Sequence, residues 1–181
     1  MTAVGGLALL LLFGAQLVTV VLGVTQVLTA HVVIGLLLTP VVALKMGSTG
    51  WRAVKYYRGD RAYRERGAPR MYYRILGPVL TALTALLLIS GLLAFLGPPA
   101  VAGAALLTHK ASFYLWLAAL LLHVVPHYLE AVRLAAADLL ARRGSRVLGT
   151  SARRYALLSV LAAGAVLALL LSGHAAEYVR S

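Results

Sequence analysis

The stretch His109-Lys110-Ala111-Ser112-Phe113-Tyr114-Leu115-Trp116-Leu117-Ala118-Ala119-Leu120-Leu121-Leu122-His123 decides how this chain is read. At about 100° and 1.5 Å per residue, a helix brings its two histidines onto one face, about 21 Å apart along the axis. A span of that length crosses most of a hydrocarbon core about 30 Å thick, leaving one imidazole toward each leaflet. Titratable groups are expensive there, so each needs a partner and each is a candidate functional residue.

The rest of the chain agrees with a membrane setting. Of its 181 residues, 61% are hydrophobic and only 12% charged, against about a quarter charged in soluble domains. The net charge of +12 comes from 17 Lys and Arg, of which all but Lys110 and Arg180 fall between Lys45 and Arg74 or between Arg133 and Arg154. Basic residues gathered between apolar runs are the positive-inside pattern and not a nucleic-acid surface. Cysteine is absent, which excludes disulfides, iron–sulfur clusters and thiolate-ligated metals. The first residues lack the basic start of a secretory signal, so the N-terminus is expected to be a retained anchor.

No charged residue occurs from Thr2 to Leu44. A single helix of that length is about twice the core thickness, so the segment is expected to fold back at Gly23-Val24-Thr25-Gln26. The expected architecture is all-α: a single membrane domain with spans at about 4–22, 26–46, 73–96, 105–133 and 155–173. Ser48-Thr49-Gly50 marks exit into water, basic cytoplasmic loops occupy about 47–72 and 134–154, and Gly97-Pro98-Pro99 ends the third span. With both loops inside, the N-terminus is cytoplasmic and the C-terminus external. His31, His109 and His174 then sort to the outer side, His123 and His127 to the inner side.

His31 and His109 lie at matching depth on two spans, the arrangement that a six-coordinate haem b needs. Gly35, one turn beyond His31, leaves space for a porphyrin edge. The plain alternative is an interhelical hydrogen bond. His123 and His127 are only about 40° apart around their helix, so they cannot oppose one another across one haem. Pro126 between them frees the carbonyl of Leu122. Gly77, Thr81, Thr84, Leu88 and Gly91 form a narrow stripe suited first to helix packing. Trp116 shares the face of His109 and His123, either between cofactors or as core. Lys45 and Arg74, at inner span ends, suit anionic lipid headgroups or haem propionates, the lipid reading being the plainer one. No catalytic constellation is present, and the five acids all lie in loops or at helix ends.

Three segments resemble small bacterial membrane proteins of the cytochrome b561-like type. They are His31-Val32-Val33-Ile34-Gly35 with the run to Lys45 and Tyr56-Tyr57-Arg58-Gly59-Asp60; Gly77-Pro78 through Ser90-Gly91; and His109-Lys110-Ala111-Ser112-Phe113, Trp116 and His123-Val124-Val125-Pro126-His127. The resemblance covers about residues 5–135. It implies a four-helix haem-binding core in the bacterial cytoplasmic membrane, His31 and His109 as the outer haem pair, and His123 as a ligand of an inner haem. The second inner ligand normally comes from the first span, yet residues 1–14 contain no histidine. Met46 or His127 substitutes, or the inner haem is absent; His174 has no counterpart.

The expected function is transmembrane electron transfer, with one haem b, room for a second, and a quinone or redox protein as partner. The protein acts as an oxidoreductase or as the electron-transfer subunit of one. Copies of the same chain and the lipid bilayer are the other expected partners; nucleic acid is not. Two other readings stand beside it. His31, His109 and His174 can converge as an outer Zn²⁺ or Cu²⁺ site in a metal-binding or transport protein, or the chain is a structural anchor that docks a partner on its basic loops.

Overall fold

A computed structural model describes residues 3–65, 71–125 and 150–178. Every regular element among them is helical: α1 (Ala3–Val21), α2 (Leu28–Tyr57), α3 (Arg61–Arg64), α4 (Met71–Leu96), α5 (Pro99–Val124) and α6 (Thr150–Tyr178). Three of these, α2, α4 and α5, are long and apolar enough to cross a membrane. Shorter apolar stretches run over Ala8–Val21 in α1 and Tyr155–Leu171 in α6.

The distribution of side chains is that of a protein made for lipid. Small and polar residues are inside, with Thr19, Thr84, Ser90 and Ser112 buried. Large aliphatic residues are outside: Leu107, Leu169 and Leu170 are 70%, 75% and 74% exposed. Lipid tails solvate leucine as well as a protein core does, so helices associate through small residues and hydrogen bonds and present leucine outward.

The chain divides into two compact units, Met1–Trp51 with Glu130–Ser181, and Arg52–Leu129. The boundary falls where α2 passes from its apolar stretch into Arg52. In the first unit, the core of α2 is Leu36, Leu38, Val41 and Val42, with Val41 fully buried. Buried Gly164 of α6 lies against this segment: a Cβ there would stand 2.9 Å from the Leu37 carbonyl oxygen and 3.2 Å from Pro40 Cγ. The absent side chain is what lets α6 approach the α2 backbone this closely.

The second unit contains a helical hairpin. Gly97 and Pro98 are its whole connection, because α5 begins at Pro99 and not near residue 105. Pro98 is extended and Pro99 occupies the first turn, where a missing N–H costs nothing. The buried residues of α5, Ala105, Ser112, Trp116 and Ala119, face those of α4, Thr84, Leu87, Ser90 and Ala94. Both sets follow three- and four-residue steps, the seam of two antiparallel helices.

Helix α2 also departs from expectation. It continues through Ser48-Thr49-Gly50 to Tyr57, because the Ser48 hydroxyl donates to the Lys45 carbonyl at 2.9 Å and so does not compete with the helix. Its 30 residues make a rod about 45 Å long. It ends in a Schellman turn: Asp60 N donates to the Lys55 carbonyl and Gly59 N to that of Tyr56, both at 3.1 Å. Gly59 takes the left-handed conformation this requires, with φ of 86°. Asp60 then caps α3 through Ala62 N and pairs with Lys55 Nζ at 3.4 Å. The region expected as a basic loop is thus an ordered elbow up to Glu65. Most of the second basic loop lies outside the described residues; its end, from Thr150, belongs to α6.

Candidate functional site

His31 stands one turn into α2, after a tight turn in which Gly23 has a φ of 89° and Gln26 N donates to the Gly23 carbonyl at 3.0 Å. That turn returns the chain so that Gln16 and Thr19 of α1 meet His31. The Thr19 hydroxyl lies 2.6 Å from the Gln16 carbonyl and 2.7 Å from His31 Nδ1. The hydroxyl stands between two polar neighbours and takes part in both contacts: it donates to an acceptor and accepts from an N–H according to the tautomer of the ring. The Gln16 amide nitrogen stands 3.1 Å from the His31 carbonyl and 3.1 Å from each ring nitrogen, Nδ1 and Nε2, so it packs against the whole nitrogen-bearing side of the ring. Among the described residues, Gln16 Oε1 is buried with no hydrogen-bond partner. Over Gly35, a Cβ would meet only Gln16 Nε2, at 3.8 Å. The space beside this glycine is bounded by a polar side chain of α1.

His109 belongs to the second unit and sits on the hairpin seam. Its Nδ1 lies 2.9 Å from the Leu87 carbonyl of α4; a carbonyl only accepts, so Nδ1–H is the donor. Gly91 makes this fit possible. A Cβ there would be 2.9 Å from both His109 Cε1 and Nδ1, so the imidazole lies directly over the glycine. The small stripe on α4 therefore does two things: Gly91 receives His109, and Thr84 receives Trp116.

Trp116 is 3% exposed and donates from Nε1 to Thr84 Oγ1 at 3.0 Å; Thr84 in turn donates to the Leu80 carbonyl. It is core of the hairpin. One further seven-residue step brings His123 against Tyr73, ring centroids 5.7 Å apart and rings perpendicular. Next to it, the Tyr72 hydroxyl donates to the Leu122 carbonyl at 3.0 Å. The Leu122 carbonyl, in the last turn of α5, thus takes a donor from the other helix of the hairpin.

His127 and Pro126 lie outside the described residues. His174 is in α6, but its side chain is not among those described. Lys45 is half-buried and Arg74 exposed. Among the described residues, no three His, Asp or Glu side chains converge as a metal site. His31 belongs to one unit, and His109 and His123 to the other.

An imidazole that binds a metal through one ring nitrogen commonly gives its other N–H to a carbonyl or other oxygen, which orients the ring and raises its basicity. His109 has this arrangement toward the Leu87 carbonyl, and His31 Nδ1 lies against Thr19 Oγ1; neutral imidazole is the donor that haem iron accepts. Each residue taken by itself has the chemistry of such a ligand, and at His31 the Gln16 amide is the group that would have to leave Nε2. Sequence reasoning overlooked Gln16, Thr19, Tyr72 and Tyr73. The signal for the first two is plain in retrospect: between residues 8 and 22 they are the only side chains with hydrogen-bonding groups, and a three-residue spacing puts them on one face. Comparison with protein-family models, with curated proteins and with solved structures finds no match for this chain.

Proposed function

We propose that the protein is a transmembrane b-type cytochrome with five membrane spans, in the manner of the cytochrome b561-like proteins it resembles. It carries electrons between a quinone or partner protein and an acceptor, within a bacterial cytoplasmic membrane, N-terminus inside. His31 and His109 are the axial ligands through Nε2, and His123 is the candidate ligand for a second, inner haem.

The observation that carries this reading is a shared placement of Nδ1. Two histidines, one in each unit, set Nδ1 within hydrogen-bond distance of an oxygen on a neighbouring helix, Thr19 Oγ1 at 2.7 Å and the Leu87 carbonyl at 2.9 Å. Haem, when bound, supplies a one-electron iron couple. The residues supply the rest: Thr19 and Leu87 hold the rings against rotation, Gly91 sets the depth of His109, and the surrounding leucines exclude water and lower the local dielectric.

The test is a dithionite-reduced minus oxidised spectrum of the purified protein, followed by a pyridine haemochrome count per chain. One haem per chain, lost in His31→Ala and in His109→Ala, is the expected result. A colourless protein grown with ample haem overturns it. A structural reading has one observation in its favour, since His109 already closes a contact within its hairpin. On that reading His109→Ala lowers thermal stability and no absorption band is ever present.

A further inference from the structure

The end of α2 and the short helix after it form a surface that electron transfer does not use. Residues 52–65 hold five basic side chains and two acids, all within the second unit. Arg52, Arg58, Arg61 and Arg64 are exposed. One of the two acids, Asp60, pairs with Lys55 at 3.4 Å and so is spent on the lysine, not on an arginine. Val54 and Tyr57 are 43% and 67% exposed. Val54, Tyr57 and Arg58 follow three- and four-residue steps, which sets two apolar groups beside a guanidinium.

The backbone fixes where these groups stand. The turn at Gly59 reverses the chain onto α3, and a Cβ on Gly59 would lie 3.7 Å from Arg64 Cζ. The Arg64 guanidinium therefore sits over the C-terminal turn of α2, the end of a helix that favours a cation. Depth follows from the length of α2. A hydrocarbon core about 30 Å thick takes up about 20 residues of helix, and the headgroup layer adds about 5–8 Å beyond it. Counted from Leu28, where α2 begins, the core ends at about residue 47 and the headgroups at about residue 52. The elbow then stands at the aqueous edge of the lipid headgroups, within reach of long arginine side chains.

We infer that this elbow is a binding surface for the phosphate headgroups of anionic phospholipid, with Arg58, Arg61 and Arg64 as its main contacts. A guanidinium meets a phosphate with two parallel bonds, where an ammonium acts as a point charge. A cluster of basic residues directly after a membrane span is drawn to anionic lipid, each one adding to the affinity. The exposed valine and tyrosine decide the occupant. A lipid surface takes apolar and cationic groups together, whereas an acidic soluble protein needs only the charge. The surface is independent of the haem reading, since none of its residues touches His31, His109 or His123 in any contact described above.

The protein has no cysteine, so Ala62→Cys, at an exposed site between Arg61 and Arg64, places a single fluorophore on the full-length chain. This protein is reconstituted into phosphatidylcholine vesicles. The fluorophore is then titrated with phosphatidylglycerol or phosphatidylcholine that bears a nitroxide quencher near its headgroup. The elbow is expected to prefer the anionic lipid by about fivefold or more, the factor that one basic contact at a membrane surface supplies. The preference falls toward one in a triple Arg58→Gln, Arg61→Gln, Arg64→Gln variant, and in high salt. It also falls in Gly59→Ala, which keeps every charge and breaks the turn that places them. Should the triple variant fail to reconstitute, the salt titration of the labelled parent decides. Equal quenching by the two lipids, the outcome for a surface made for an acidic protein, overturns the inference. A preference that survives the triple substitution or ignores salt overturns it as well, and full preference in Gly59→Ala removes the part assigned to the fixed turn.

Discussion

Gly91→Ala separates a packing stripe from a site. A methyl group at residue 91 would be 2.9 Å from two atoms of the His109 ring, about half an ångström inside ordinary contact. The obstacle is the end of a side chain, so the ring can swing away. It then gives up the 2.9 Å bond to the Leu87 carbonyl. An interhelical hydrogen bond inside a membrane protein is worth about 0.6 kcal/mol on average and up to about 1.7. Displaced packing adds to this, so the cost is about 1–2 kcal/mol. Alanine is also a better helix former than glycine by up to about 1 kcal/mol, which would mask part of the effect. Gly77→Ala removes the ambiguity: it lies fourteen residues away on the same stripe of α4 and has nothing within 4 Å of its would-be Cβ. The propensity gain is the same in both variants, so their difference isolates the contact. Urea or thermal unfolding of the full chain in one detergent, for wild type and both variants, gives that difference. In a His109→Ala background the ring is gone and Gly91→Ala should match Gly77→Ala; the coupling between sites 91 and 109 is then about 1–2 kcal/mol. Equal stability of Gly91→Ala and Gly77→Ala in the wild-type background would refute the placement of His109 over Gly91.

Gly164→Ala is expected to be costlier for its size, about 1–3 kcal/mol, because its Cβ meets the Leu37 backbone, which cannot swing aside; thermal unfolding against a Gly173→Ala control, where nothing lies within 4 Å, measures it. Tyr72→Phe leaves the Leu122 carbonyl without its tyrosine donor and lowers stability by about 0.6–1.7 kcal/mol, with amide exchange at the end of α5 as the local readout. Gly59→Ala forces a side chain into a φ of 86° and should lower the stability of the elbow by about 1–2 kcal/mol. Limited proteolysis between residues 55 and 65, faster in the variant, is the check.

What the sequence shows well is whatever a single helix dictates. The apolar lengths, the turn near Gly23 and the shared face of His109, Trp116 and His123 all follow from hydropathy and a period of 3.6. What it shows poorly is what depends on the facing helix. Nothing in Gly77, Thr84 and Gly91, equally spaced along α4, says that the first faces open space, the second takes an indole N–H and the third seats an imidazole. The end of α2 was obscure for a different reason. Ser48, Thr49 and Gly50 are loop formers on average, yet Ser48 bonds back onto its own helix, and the stop comes nine residues later, at Gly59. Gln16 and Thr19 were legible in principle. A glutamine in an uncharged span is as costly as a histidine, and the search for titratable groups passes over it.

The spacing of fourteen residues between His109 and His123 has two causes that the sequence cannot separate. It suits two cofactors on the two sides of a membrane, and it is also two repeats of a seven-residue seam between packed helices. The hairpin accounts for the spacing by the second cause alone, since Trp116, midway between them, is plainly core. Spacing is therefore no argument for a second haem. The argument for the first lies in the bonds made by each ring, and here the two histidines part. His109 meets a carbonyl oxygen, an acceptor that specifies which nitrogen carries the proton; His123 meets the ring of Tyr73 at right angles, a contact that fixes orientation and leaves the tautomer open. His31, in the other unit, likewise sets Nδ1 against an oxygen, Thr19 Oγ1 at 2.7 Å. That common oxygen contact at Nδ1 is why ligation is proposed first for His31 and His109, with His123 kept as a candidate.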